Sequence, residues 1–257
     1  MNMIRKPVLS GTWYPADPGE LARTVDGFLA GADPTARPAG PPRIALVPHA
    51  GYVYSGPTAG KLFGLLAGAP PRRVVIMAPN HRVAMDRIAL SGAAAFATPL
   101  GPVETDQSFT RRLEAHEAYE INDHAHAEEH AVEIQLPLIQ RTWPDALPCI
   151  VPLLVPPLEC GLAGAAAAAL AEGVDDETLI LVSTDLTHYG ASYGYVPFTE
   201  NVPAALEELD SGAILRVLAA DPAGLRQYGR ETGITMCGLE AAAVALGAGV
   251  PPDHEGA

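Results

Sequence analysis

Four short runs dominated by apolar residues constrain this chain most: Ile44–Val47 (IALV), Arg73–Met77 (RVVIM), Cys149–Leu154 (CIVPLL) and Thr178–Ser183 (TLILVS). A strand with one wet face alternates apolar and polar residues. These runs do not alternate, so both of their faces must be covered. Between them lie segments with helical spacing: Pro18 to about Ala30, Thr58–Leu66, Phe109–His116, Gly161–Glu172, Pro203–Leu218 and Leu239–Leu246. Strands alternating with helices predict a mostly parallel central sheet between two helical layers, a three-layer α/β/α domain. Ile88–Ser91 reads as a further short strand, and Pro152 predicts that CIVPLL is short or near an edge. Residues 1–15 read as extended and turn-rich, and Gly31–Pro42, crowded with proline and glycine, as a surface loop. No fixed-period repeat or composition shift divides the 257 residues, which predicts one domain over 1–257.

Three of these strands end in polar chemistry. IALV leads to VPHAGYVYSG with His49, RVVIM leads to APNH with His81, and TLILVS leads to TDLTHYG with Asp185 and His188. In a parallel α/β sheet the functional crevice lies beyond the carboxyl ends of the strands. One such histidine is ordinary; three at equivalent positions point to a shared site. Several imidazoles with an anionic group nearby suit a divalent transition metal. Two histidines and one anionic ligand leave coordination positions open, and Asp185 and Cys237 are both candidates for that anion. Cys237 stands in GITMCGLEAAAVAL at a helix start, where the helix dipole favours a thiolate.

The segment DHAHAEEHAVEIQLP adds His130 as a candidate acid or base, with Glu133 three residues on to orient it. Tyr54 and Tyr189 are candidate hydrogen-bond donors to a bound substrate. Asn80, between Pro79 and His81, is a candidate donor to substrate or to an imidazole whose tautomer it would fix.

A formal net charge of −14, from 16 basic and 30 acidic residues, repels phosphate backbones and anionic membranes. Nucleic-acid and membrane partners are therefore not expected. The Ala-rich run Gly161–Ala171 is too short to span a bilayer. MNMIRKPVLSGTWYP lacks an apolar core of signal-peptide length, and three cysteines without a framework spacing predict free thiols and a cytoplasmic setting.

The blocks SGTWYPADP, VPHAGYVYSG, APNH, TPLGPVETD, EEHAVEIQLPLIQ, STDLTHYG and GITMCGLEA, in this order over roughly residues 5–240, resemble the Memo family, whose bacterial and archaeal members are called AmmeMemoRadiSam system protein B. That family is similar to the class III extradiol ring-cleaving dioxygenases, non-haem Fe(II) enzymes of three-layer α/β fold. The resemblance implies that His49, His81 and Cys237 surround a metal, where the dioxygenases have a carboxylate in place of the cysteine. It implies that Asp185 and His188 line the pocket, with His188 as acid/base, and that His130 sits behind the ligands or acts on bound oxygen. Ala131, Thr184 and Thr187 stand where serines are usual in the family, and every implied ligand is retained.

The functional expectation is a metal-dependent, dioxygenase-like oxidoreductase with Fe(II) or, second, copper, acting on a small molecule or peptide. A zinc hydrolase is a weaker option. The alternative is a non-catalytic module that binds a peptide or ligand in the same pocket. Functional partners from the AmmeMemoRadiSam system are implied by the resemblance alone.

Overall fold

The computed structural model describes residues 3–38, 40 and 42–249. Residues 1, 2 and 250–257 of the expected domain, and positions 39 and 41 of the Gly31–Pro42 loop, lie outside the described residues. The elements are β1 (Ile4–Arg5), α1 (Pro18–Leu29), β2 (Ile44–Val47), α2 (Tyr52–Leu66), β3 (Arg73–Pro79), β4 (Ile88–Leu90), β5 (Ala95–Thr98) and β6 (Gly101–Glu104). They continue with α3 (Gln107–Glu114), β7 (Tyr119–Ile121), α4 (Asp123–Ala127), α5 (Leu136–Thr142), β8 (Cys149–Val155) and α6 (Cys160–Ala171). The chain then forms β9 (Thr178–Ser183), α7 (Val202–Leu218), α8 (Pro222–Thr232) and α9 (Leu239–Gly249).

The central sheet has the order β2-β9-β3-β8-β4-β7. Every neighbouring pair is parallel except β8 with β4. Successive residues of β3 enter different cores. Val75 and Met77 pack with α6, α8 and α9, whereas Val74, Ile76 and Ala78 pack with α1, α2 and α5. This is why the strands read as unbroken apolar runs: each residue is buried on one side or the other, and each large side chain contributes about 1.5–3 kcal/mol. A small second sheet, β1-β5-β6, lies against the α1/α2 side through Phe96 and Val103.

Two local expectations change. β8 is an interior strand rather than an edge, flanked by β3 and β4. β4 pairs only with Leu153 and Leu154 of β8, so Pro152 falls outside that ladder, where a residue without an N–H is tolerated. Helix α2 begins at Tyr52, six residues before the expected Thr58. Its first half looked like a loop because it carries Gly56 and Pro57. The glycines instead allow close helix packing: a Cβ on Gly60 would stand 2.2 Å from the Cβ of Phe28 on α1. The early start of α2 places its N-terminus directly after His49 and the Ala50-Gly51 turn.

Candidate metal centre

Strands β2, β3 and β9 run parallel, so their carboxyl ends open on one edge. His49 follows β2 and is 1% exposed. Its amide donates to Asp185 Oδ1 at 2.8 Å, its Nδ1 lies 3.1 Å from Ser183 Oγ, and its Nε2 lies 3.3 Å from Cys237 Sγ. His81 follows β3. Its amide donates to Glu129 Oε2 at 2.8 Å and its Nδ1 meets Glu129 Oε1 at 3.0 Å. His130 comes from the irregular segment between α4 and α5, and its amide donates to Glu129 Oε1 at 2.8 Å. Its Nδ1 is 3.0 Å from the same oxygen but off the line of a hydrogen bond, so that buried nitrogen has no partner.

The rings of His81 and His130 stack at 4.6 Å between centroids, and His49 meets them edge-on at 5.4 and 5.3 Å. One nitrogen of each lies within 4.8 Å of the other two, close enough to share a metal ion. Cys237 reaches the group from the turn before α9, where its sulfur also accepts the Asp185 amide at 3.2 Å. Gly238 makes that turn possible, since a Cβ there would stand 2.5 Å from Thr184 Cβ.

Burial pushes the Cys237 thiol up, but hydrogen bonds from His49 and His81, the charge of His49 and the Asp185 amide outweigh it and bring the pKa down to about 5. Burial likewise opposes a charge on His81. Cys237 and Glu129 outweigh it and raise that imidazole to about 9. The thiolate expected at this helix start is thus favoured by the two imidazoles and the Asp185 amide as well. Glu129 itself is held far below the usual carboxylate range: its burial is opposed by His130, His81 and the His81 amide.

Asp185 Oδ2 lies 3.9 Å from Nε2 of both His49 and His188. The His188 amide donates to Thr235 Oγ1 at 2.8 Å, and its Nδ1 meets the Thr235 carbonyl at 2.9 Å. A cleft of about 560 Å3 opens over the group, lined by His49, His81, His130, Asp185 and His188 and rimmed by Trp13, Tyr54 and Tyr193.

The family model described as Memo-like protein matches residues 5–249. The chain belongs to the Memo family. Its relatives include the MEMO1 family protein TK1477 of Thermococcus kodakarensis, 33% identical over 250 residues that cover 92% of this chain and 84% of the relative. The MEMO1 family protein PF1638 of Pyrococcus furiosus is similar to the same extent, 33% over 250 residues with the same coverage. The protein memo-1 homolog of Caenorhabditis elegans is 29% identical over 235 residues, covering 89% of this chain and 66% of the relative. Among the described residues of this Memo-family chain, no helix is long and apolar enough to cross a membrane.

The residues singled out in the sequence of this Memo-family chain fall into two groups. His49, His81, His130, Cys237, Asp185 and His188 converge, and Tyr54, 82% exposed, stands at the rim. Asn80 and Tyr189 are used elsewhere. Asn80 Oδ1 accepts the Arg82 and Val83 amides at 3.3 and 3.2 Å and its amide group donates to the Val83 carbonyl, closing the turn after β3. The imidazole it was expected to orient is held by Glu129. Tyr189 stacks on Phe198 and donates to that residue's carbonyl at 2.6 Å, while Tyr193 takes the rim position.

Glu133 does not orient His130 either. It is 0% exposed and accepts from Arg5, the Val8 and Leu9 amides and the Tyr14 hydroxyl. It therefore ties down the N-terminal segment that carries Trp13, whose ring lies 4.7 Å from that of His130. Sequence reasoning missed Glu129, Ser183 and Trp13 as parts of the site. The adjacency of Glu129 to His130, and the position of Ser183 as the last residue of its strand, were the available signals.

Proposed function

We propose that this Memo-family chain is a metal-dependent oxidoreductase acting on a small organic or peptide substrate, with Fe(II) as the metal and copper as the alternative. His49 and His81 would hold the ion through Nε2, with the Cys237 thiolate as anionic ligand, and His130 stands close enough to join them. The observation that carries this reading is the Cys237 sulfur 3.3 Å from His49 Nε2, beside three imidazoles whose nitrogens lie within 4.8 Å of one another. The donor set fits: a thiol brought down to about 5 is anionic at neutral pH, and imidazole with thiolate suits iron and copper over magnesium or calcium.

A metal bound there would supply one-electron chemistry at a position open to the cleft. The chain's own residues supply the rest. Asp185 fixes the His49 backbone through Oδ1, and its Oδ2 faces the imidazole of His188. The Thr235 carbonyl accepts a hydrogen bond from Nδ1–H of His188, which leaves Nε2 able to accept a proton from substrate and Asp185 able to stabilise the resulting imidazolium. Trp13 packs against His130, with 4.7 Å between the ring centroids. A cytoplasmic setting and functional partners from the AmmeMemoRadiSam system belong to the same proposal.

Anaerobic titration with Fe(II), and with Cu(I) in a separate arm, tests it. One equivalent should bind the wild type, and His49→Ala should abolish binding. A second reading, a module that only binds ligand, is supported by the exposed Val53 (81%), Tyr54 (82%) and Tyr193 (60%) around the cleft. It requires that Cys237→Ser leave ligand affinity intact.

A further inference from the structure

We infer that one buried segment, residues 129–135, presets the proton positions on His49 and His81, so that Nδ1 of each ring keeps its proton and Nε2 is the nitrogen left to an incoming cation. This rests on the metal-binding reading above and concerns three positioning residues, Glu129, Ser183 and Gln135.

The assignment follows from counting hydrogens. Ser183 Oγ has one, and its shortest contact, 2.6 Å, is to the Ala131 carbonyl, which can only accept. That hydrogen is therefore committed. Gln135 Nε2 lies 3.0 Å from the Pro48 carbonyl and 2.9 Å from Ser183 Oγ. Turning this amide over would set its oxygen against the Pro48 carbonyl, two acceptors in contact, so the NH2 group stays and its second hydrogen goes to Ser183. The Gln135 carbonyl oxygen is left buried without a partner, a cost the fold retains to keep the amide in this orientation. Ser183 Oγ then has only a lone pair for His49. The Nδ1 of His49, 3.1 Å away, must carry a proton, and Nε2 faces the Cys237 sulfur, so a proton held between that nitrogen and the sulfur is the one a cation displaces.

His81 is set from the other side. A carboxylate only accepts, so the 3.0 Å contact between Glu129 Oε1 and His81 Nδ1 places the proton on Nδ1. The second oxygen takes the His81 amide at 2.8 Å, which fixes the ring's backbone as well. The two arms meet at Ala131: its amide donates to Glu129 Oε1 at 3.1 Å and its carbonyl receives the Ser183 hydrogen. A metal-ligating histidine whose other nitrogen is held in this way is oriented before the ion arrives, and loss of such a partner typically costs 10–100-fold in metal affinity.

The experiment uses 15N-histidine-labelled protein, long-range imidazole correlation spectra, and Zn(II) as a diamagnetic probe, for wild type, Ser183→Ala and Glu129→Gln. In the wild type both rings should carry Nδ1–H, and zinc should shift Nε2. Ser183→Ala should mix the tautomers of His49 alone and Glu129→Gln those of His81 alone, each weakening zinc by about 10–100-fold. A wild-type ring protonated on Nε2 and bare at Nδ1, or bound to zinc through Nδ1, would overturn the inference even if neither variant folds. So would variants that lose zinc with both tautomers unchanged, since that marks a merely structural role. Failure of the wild type to bind zinc would remove the metal reading, while the spectra of the metal-free protein at pH 10, above the His81 value of about 9, would still decide the proton positions.

Discussion

The sulfur of Cys237 lies 3.3 Å from Nε2 of His49, although 188 positions separate the two residues. The contact follows from topology. β2 and β9 are parallel neighbours, so His49 and Asp185 leave the sheet side by side, and the Asp185 amide caps the sulfur arriving from the turn before α9.

Cys237 is accordingly expected to be ionised at neutral pH in the metal-free protein. In a background lacking Cys149 and Cys160, the ultraviolet absorbance of the thiolate should titrate with a midpoint of about 5. His49→Ala should move that midpoint up towards the ordinary thiol value of 9.0, because a hydrogen bond and a charge that favour the thiolate are removed. An unchanged midpoint would mean that His49 does not tune the sulfur.

Gly238→Ala should damage the same turn. The added methyl meets Thr184 at 2.5 Å, and Gly238 also donates its amide to Thr184 Oγ1, so the chain must shift beside Cys237. Metal affinity should fall together with stability. Gly164→Ala in α6 is the control: a Cβ there meets nothing within 4 Å, and the helix should gain roughly 0.5–1 kcal/mol in urea unfolding.

Glu133→Ala removes the carboxylate paired with Arg5, both side chains being buried at 0% and 6% exposure. Breaking a buried pair from one side costs about 3–5 kcal/mol. Beyond that loss in urea melts, the N-terminal segment should loosen, and the fluorescence of Trp13, read in a Trp143→Phe background, should shift to the red as it leaves His130. A stable variant with unaltered emission would contradict the role given to Glu133.

His126 supplies a pH dependence. Burial is the main cause that lowers its pKa from 6.5 to about 4, and its Nε2 meets the Ala89 carbonyl at 3.1 Å. The unfolded chain takes up a proton on this ring below pH 6.5, while the folded state refuses it until about 4. The contribution is therefore complete above 6.5 and is lost as the pH falls to about 4, at roughly 1.4 kcal/mol per pH unit. His126→Gln should flatten the pH dependence of the urea midpoint across that window. An unchanged slope would assign the acid sensitivity to other groups.

The central sheet was legible because burial on both faces leaves no polar alternation in β3, β8 and β9. The convergence of His49, His81 and the Asp185/His188 pair was legible because parallel strands share one edge. What was hidden depended on contacts distant in sequence. Glu129 and Glu133 are both acidic residues beside His130, and only the packing of the N-terminal segment decides that Glu133 serves Arg5 while Glu129 serves the imidazoles. Asn80 and Tyr189 were misjudged for a related reason: a hydroxyl or amide next to a candidate ligand is often consumed by its own turn, here by Val83 and Phe198. The start of α2 was obscured because Gly56, unfavourable within a helix, is needed for the approach of Phe28.

X-ray absorption at the iron and copper edges of metal-loaded protein, compared between wild type and Cys237→Ser, tests the central claim most directly. A single bound ion with one sulfur and two or three imidazole nitrogens, its sulfur contribution lost in the variant, is the predicted result. Failure to retain a stoichiometric ion, or a wild-type ion without sulfur in its coordination, would contradict it.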